Sequence, residues 1–212
     1  MSTTITTPTT ASSLVALGRH TFAGLRVLLL LTVLLGLAYP LAMTGVAQVA
    51  FPWQANGSLV TSTGAHTSDR SQAVGSALIG QAFTGEQWFH PRPSAAGKGY
   101  DTLASGGSNL GPLNADLAAT VTERRAQVAA ENGVDPSQVP ADAVTASASG
   151  LDPDISPAYA AIQVDRVARA RGLDPAVVQR LVSEHTSGRP LGVLGEPRVN
   201  VLTLNIALEQ LR

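Results

Sequence analysis

Between Arg26 and Phe51 the chain runs VLLLLTVLLGLAYPLAMTGVAQVA, with no charged residue from Val27 through Val49. As a helix at about 1.5 Å per residue, this run is roughly 35 Å long. A bilayer's hydrocarbon core is about 30 Å thick, so the run predicts one membrane-spanning helix with some tilt. Pro40 lies within it and removes a backbone hydrogen bond, which predicts a kink there. The apolar part is longer than the 7–15 residues typical of a cleaved signal. No clear small-x-small cleavage site follows, so the segment reads as a retained anchor.

Charge sets the expected orientation. Arg19 and Arg26 precede the span, and all 15 acidic residues follow it. The positive-inside rule places the N-terminus in the cytoplasm and the C-terminal portion outside the inner (cell) membrane. The expected organisation is a disordered cytoplasmic tail over 1–23, a transmembrane helix over 24–50, a juxtamembrane connection over 51–68 and an extracytoplasmic domain over 69–212. Phe51 and Trp53 mark the outer interface.

Composition removes several function classes. The net charge of −1 supplies no basic field for nucleic acid. Without cysteine there are no disulfides, thiolate nucleophiles or cysteine-ligated zinc. The four histidines, His20, His66, His90 and His185, are scattered. The AGKG around Lys98 is no phosphate loop: Gly99 follows the lysine where Ser or Thr is required, and Arg92 stands where the first glycine belongs. No G-x-S-x-G elbow occurs.

The exported portion predicts an α+β domain of about four helices and a few short strands. NGSLVTSTGAHTS reads as a loop or extended connection, AVGSALIGQAF as a short strand, and His90–Asn114 as a long ordered loop rich in glycine and proline. Asn114 caps a helix to Asn132, closed by Gly133, with Leu117, Val121 and Val128 on its apolar face. AVTASAS is a possible strand. Ser156 and Pro157 open a second helix, buried along Ala160, Ala161, Val164, Val167 and Ala168, with an Asp165–Arg169 pair and Gly172 as its end. Asp174 and Pro175 start a third, ending at Gly188. VNVLTLNIALEQL forms the last, with Val201, Leu204, Leu208 and Leu211 on one side. Asp152 and Asp154 therefore sit just before a helix start and read as structural rather than as a metal or acid–base pair. His185 reads as a partner of a helix C-terminus. Arg92, Glu196 and Arg198 read as ion-pairing groups, with anion binding as the alternative. No catalytic centre and no metal site emerges.

Three blocks carry a resemblance: FHPRPSAAGKGYDTLASGGSNLGPLN, TASASGLDPDISPAYAAIQVDRVARARGL and GEPRVNVLTLNIAL. They resemble the motif blocks of the C subunit of the bacterial high-affinity potassium-transporting ATPase, the KdpC family, over nearly all of the chain from Leu25. The resemblance singles out Arg92, Ser94, Asn109, Asn114, Asp152, Gln163, Arg166, Glu196, Arg198 and Asn200 as motif or interface residues. Asp154 departs from the pattern, in which many relatives carry histidine. The resemblance implies a non-catalytic accessory subunit, described in this family as a catalytic chaperone for ATP use. Its implied partners are a P-type ATPase subunit, a channel-like potassium-translocating subunit and a small membrane subunit, within the lipid bilayer. ATP and potassium are handled by the complex, with no cofactor bound directly. A membrane-anchored exported hydrolase and a solute-binding module remain the competing readings.

Overall fold

The computed structural model describes residues 10–211. The first nine residues of the tail expected to be disordered lie outside them. The chain divides into two compact units, one ending at Ala55 and the other starting at Asn56.

The first unit is a continuous helical rod. Helix α1 covers Thr10–Val33, a π-helical turn covers Leu34–Ala38, and α2 covers Tyr39–Ala50. The one-turn helix α3 (Pro52–Ala55) follows. The stretch Leu14–Ala50 has the length and composition of a membrane span, and its apolar window is not buried against protein. The rod also takes in residues 10–23, where a disordered tail is expected from composition. Leu14, Val15, Leu17 and Phe22 continue the apolar composition there, and no Pro or acidic residue interrupts it. Pro40 acts one turn earlier than its own position. It has no N–H for the carbonyl of Gly36. The helix widens before it, and the Tyr39 N–H reaches back five residues to the Leu34 carbonyl. The expected distortion is thus a π-bulge.

The second unit begins with a hairpin where the sequence predicts a loose connection. Strands β1 (Leu59–Thr61) and β2 (His66–Thr67) pair antiparallel, and β3 (Ala73–Ser76) pairs with β1 on its other edge. The boundary expected at residue 69 therefore falls inside a folded sheet. The AVGSALIGQAF strand is limited to its first four residues.

Four helices build the body: α4 (Ala115–Asn132), α5 (Pro157–Arg171), α6 (Pro175–Glu184) and α7 (Val201–Glu209). Their starts are fixed by side-chain caps. Asn114, Ser156, Asp174 and Asn200 each accept a backbone N–H of the first turn. Gly133 and Gly172 close α4 and α5 in the left-handed conformation. Helix α6 stops at Glu184 rather than Gly188, and the His185 ring nitrogen Nδ1 lies 3.0 Å from the Leu181 carbonyl, as a C-terminal partner. A second sheet, in the order β4 (Asp154–Ile155), β6 (Arg198–Asn200), β5 (Thr186–Ser187), is antiparallel throughout. The expected AVTASAS strand does not form. Its small polar residues satisfy the backbone locally, as when Ser147 Oγ accepts the Gly150 N–H.

The core is aliphatic. Val164, Val167, Val178, Leu204 and Leu208 pack with Phe89 and Ile155, all under 5% exposed. Ala161 is exposed, unlike the rest of the expected α5 stripe. Tyr159, Gln163 and Arg166 are buried on this helix instead. Among the described residues Asp165 and Arg169 form no ion pair; Arg171 pairs instead with Glu209 at 2.9 Å and lies over the Trp88 ring.

Candidate functional site

Three polar side chains in the core grip one segment, residues 86–90. Arg166, 1% exposed, donates through Nη1 to the carbonyls of Glu86 and Trp88 at 2.6 and 3.0 Å. Its Nε donates to Asn132 Oδ1 and its Nη2 to Gln163 Oε1. Gln163 and Asn205 then pair with the backbone as a strand would. Gln163 accepts the His90 N–H at 2.6 Å and donates to the His90 carbonyl, while Asn205 does the same at Phe89, both at 2.9 Å. A segment with no neighbouring strand thus has its backbone groups satisfied by side chains, which its burial requires. His90 Nδ1 also lies 3.1 Å from Glu131, and this contact holds the Glu131 carboxyl below its usual range.

The segment leads into the glycine-rich loop, which is knitted to residues 145–152. Ser94 Oγ donates to the Gly150 carbonyl at 2.6 Å and accepts the Tyr100 N–H. The Tyr100 hydroxyl donates to the Arg92 carbonyl, and burial pushes it up to about 12. Ser149 O accepts from the Gly106 N–H and Ser105 Oγ, both at 2.9 Å. Arg92 Nη1 meets Asp152 Oδ2 at 2.7 Å, and its other nitrogens reach the Thr145 carbonyl at 3.4 Å.

Arg92, Asp152, Glu196 and Arg198 come together along an open cleft of about 470 Å³, with Asp142 and Asp154. The two aspartates of the DPD turn are split between partners: Asp152 faces Arg92, and Asp154 meets Arg198 Nε at 3.1 Å. Asp142 is occupied by the Ser156 N–H and hydroxyl. No group of three metal-capable side chains forms among the described residues. Desolvation, helped by the charge of Asp152, pushes the Asp154 carboxyl up; Arg198 opposes this but is 46% exposed, so water screens it. A carboxyl raised in the folded state stabilises the fold while protonated, and that contribution is lost as pH rises through its titration. Carboxyl-carbon NMR should show Asp154 titrating above Asp69 and Asp135, whose carboxyls are held down by Ser71 and Ser137.

The other motif residues lie elsewhere. Asn114 and Asn200 are helix caps, and Asn200 also donates to the Ala77 carbonyl at 2.8 Å, joining the two sheets. Asn109 is exposed with φ of 53°, a left-handed turn position that asparagine tolerates. On the cleft itself Glu196, 78% exposed in its side chain, pairs with Arg189 at 2.6 Å. Sequence reasoning missed Asn132, Asn205 and Tyr100. Of these Asn205 carries a faint signal, a lone amide between Leu204 and Ile206 in an apolar helix.

A family described as "KdpC: K+-transporting ATPase, c chain" matches residues 21–210. A potassium-transporting ATPase KdpC subunit of Beijerinckia indica is 56% identical over 86% of this chain and 89% of its own. The corresponding subunit of Gemmatimonas aurantiaca is 58% identical over 85% and 87%. That of Kineococcus radiotolerans is 57% identical over 90% and 93%. The chain therefore belongs to the KdpC family, the c chain of the K+-transporting ATPase.

Proposed function

We propose that this chain is a non-catalytic accessory subunit that assembles and stabilises an ATP-driven potassium uptake complex. One observation carries the reading: six of the ten motif residues have their side chains engaged in holding the fold together. Gln163 and Arg166 hold a buried backbone segment, Ser94 and Arg92 lock two loops, and Asn114 and Asn200 cap helices. None of them is left as a nucleophile beside a base, which favours a scaffold over the hydrolase alternative.

The apolar rod anchors the chain in the cell membrane, its N-terminus cytoplasmic and its folded unit outside. Its partners are the P-type ATPase subunit, the channel-like subunit and the small membrane subunit. In this orientation the folded unit does not meet ATP, which is cytoplasmic. Its chaperone effect on ATP use then passes through the span and the partner subunits. Gly36, Gly45 and Ala47 allow a partner helix close approach along the rod.

Protease added to intact spheroplasts should degrade the folded unit, and detergent-solubilised chain should co-purify with the other ATPase subunits. A protected domain, or a chain that runs alone, overturns the reading.

A further inference from the structure

The fold places an acceptor at each nitrogen of the His90 ring. Gln163 pins the backbone of this residue, accepting its N–H and donating to its carbonyl, so the ring has a fixed base. Nδ1 lies 3.1 Å from Glu131 Oε1 on α4, and Nε2 lies 2.9 Å from the Gly85 carbonyl oxygen. A carbonyl oxygen only accepts, and so does an ionised carboxylate. A neutral imidazole carries one N–H and would turn a lone pair on one of these two oxygens. The imidazolium, with an N–H on each nitrogen, serves both. Glu131 fits this arrangement: the His90 contact holds its carboxyl below the usual range, so it stays ionised where histidine ordinarily titrates. The two side chains are 17% and 32% exposed, so water screens the pair only in part.

The groups around the ring offer no substitute for its proton. The pair lies on an open cleft of about 310 Å³, to which α4 adds Arg124, α5 adds Tyr159, and the loop after the segment adds Arg92 and Tyr100. Arg92 is committed to Asp152 at 2.7 Å. Arg166 acts on Glu131 and Tyr159 from α5 and on Glu86 in the segment itself, and Asp142 acts on Tyr159. Burial pushes the hydroxyls of Tyr100 and Tyr159 up, so both stay neutral through the histidine range. Helix α7 contributes Asn205, which does not titrate. His90 is thus the group of this set whose charge changes between about pH 5 and 8.

We propose that His90 and Glu131 form a proton-operated latch on residues 85–90. The imidazolium ties Glu131 to the Gly85 carbonyl and closes the turn in which the Trp88 N–H also reaches Gly85, at 3.3 Å. When the proton leaves, the remaining N–H stays with the carboxylate, because a hydrogen bond to an ionised acceptor is the stronger one. Nε2 then presents a lone pair to the Gly85 carbonyl, and the turn loosens at that end. Gln163, Asn205 and Arg166 keep their hold on the rest of the segment. The latch stabilises the segment while the ring is protonated, and that contribution is lost as pH rises through the titration of the pair. At the acid end it is lost only when pH falls through the lowered titration of Glu131. In the orientation proposed above, the latch answers to the medium outside the cytoplasm.

The test is hydrogen exchange at the amides of residues 85–88 in the full chain in detergent, corrected for the intrinsic effect of pH. Opening should be about tenfold greater at about pH 8.5 than at about pH 6, the loss of one hydrogen bond to a charged group. Glu131→Gln should remove the dependence. Its amide can donate to Nδ1 of a neutral ring and leave the Nε2 N–H for Gly85, so opening changes less than about twofold. Opening that does not vary with pH in the unaltered chain, or that varies as much in the glutamine variant, overturns the proposal. A second measurement needs no folded Glu131 variant. In the unaltered chain with labelled histidine, the His90 ring should show two hydrogen-bonded N–H protons at about pH 6, identified by their loss in His90→Gln. A single such proton overturns the latch equally.

Discussion

Arg166→Leu in the full chain lowers the thermal midpoint by about 10 °C or more and shifts the urea midpoint in the same direction. The substitution takes donors away from the carbonyls of Glu86 and Trp88 and from Asn132 Oδ1. Asn132 Oδ1 is buried and the two carbonyls partly so, and an acceptor left without a partner away from water costs about 1–3 kcal/mol. Gln163 Oε1 still receives the His90 N–H, so it is not orphaned. The sum is about 4 kcal/mol or more, a large share of the 5–15 kcal/mol that holds a typical domain together. At about 2–4 °C per kcal/mol for a protein of this size, the midpoint falls as stated. Arg166→Lys should recover only part of the loss, since an ammonium cannot reproduce the planar fork that reaches Nε, Nη1 and Nη2 partners at once. A midpoint within 2 °C of the unaltered chain for the leucine variant would falsify the buried-brace account.

Gly150→Ala should release the glycine-rich loop. A Cβ at this position would lie 2.6 Å from the Ala96 backbone nitrogen and 2.8 Å from the Gly106 carbonyl oxygen, and the φ of 65° is left-handed. Backbone occupies the space on two sides, so a rotamer change cannot relieve the clash. Left-handed strain of about 1–2 kcal/mol adds to overpacking of about 1–3 kcal/mol. The easier response is for the loop to detach, giving up the Ser94–Gly150 and Gly106–Ser149 hydrogen bonds. Lys98, exposed and the single lysine of the chain, reports on this directly. Cleavage by a lysine-specific protease should accelerate about tenfold, while circular dichroism of the helices changes little. An unchanged cleavage rate means the loop is held by something other than its contact with residues 145–152.

Much of the architecture is legible in the sequence alone. Helix starts at Asn114, Ser156 and Asp174 and ends at Gly133 and Gly172 follow from side chains acting on their own neighbouring backbone, an interaction set within one turn of chain. The α7 stripe of Val201, Leu204 and Leu208 is legible for a similar reason, because helical period alone brings those positions to one face. The strands are less so: only β3 shows, as the first four residues of AVGSALIGQAF. With two or three residues each, the others have too little alternation to stand out, and β4 and β6 pair only because the fold brings distant parts of the chain together. The same limit applies to the site. Arg92, Asp152, Glu196 and Arg198 can be singled out one by one, but nothing in their spacing says that they line one cleft or that Asp152 and Asp154 take different arginines.

What the sequence by itself determined is the uncharged apolar rod, the α+β class and the starts of α4, α5 and α6, since hydrophobic run length, periodicity and capping are local properties of the chain. Only the tertiary structure decided which polar residues are buried and what they do there. Local sequence does not say that Gln163 and Arg166 are buried until a distant segment is laid against them, because burial of a polar group is stable only where its hydrogen-bond partners are supplied from elsewhere in the fold.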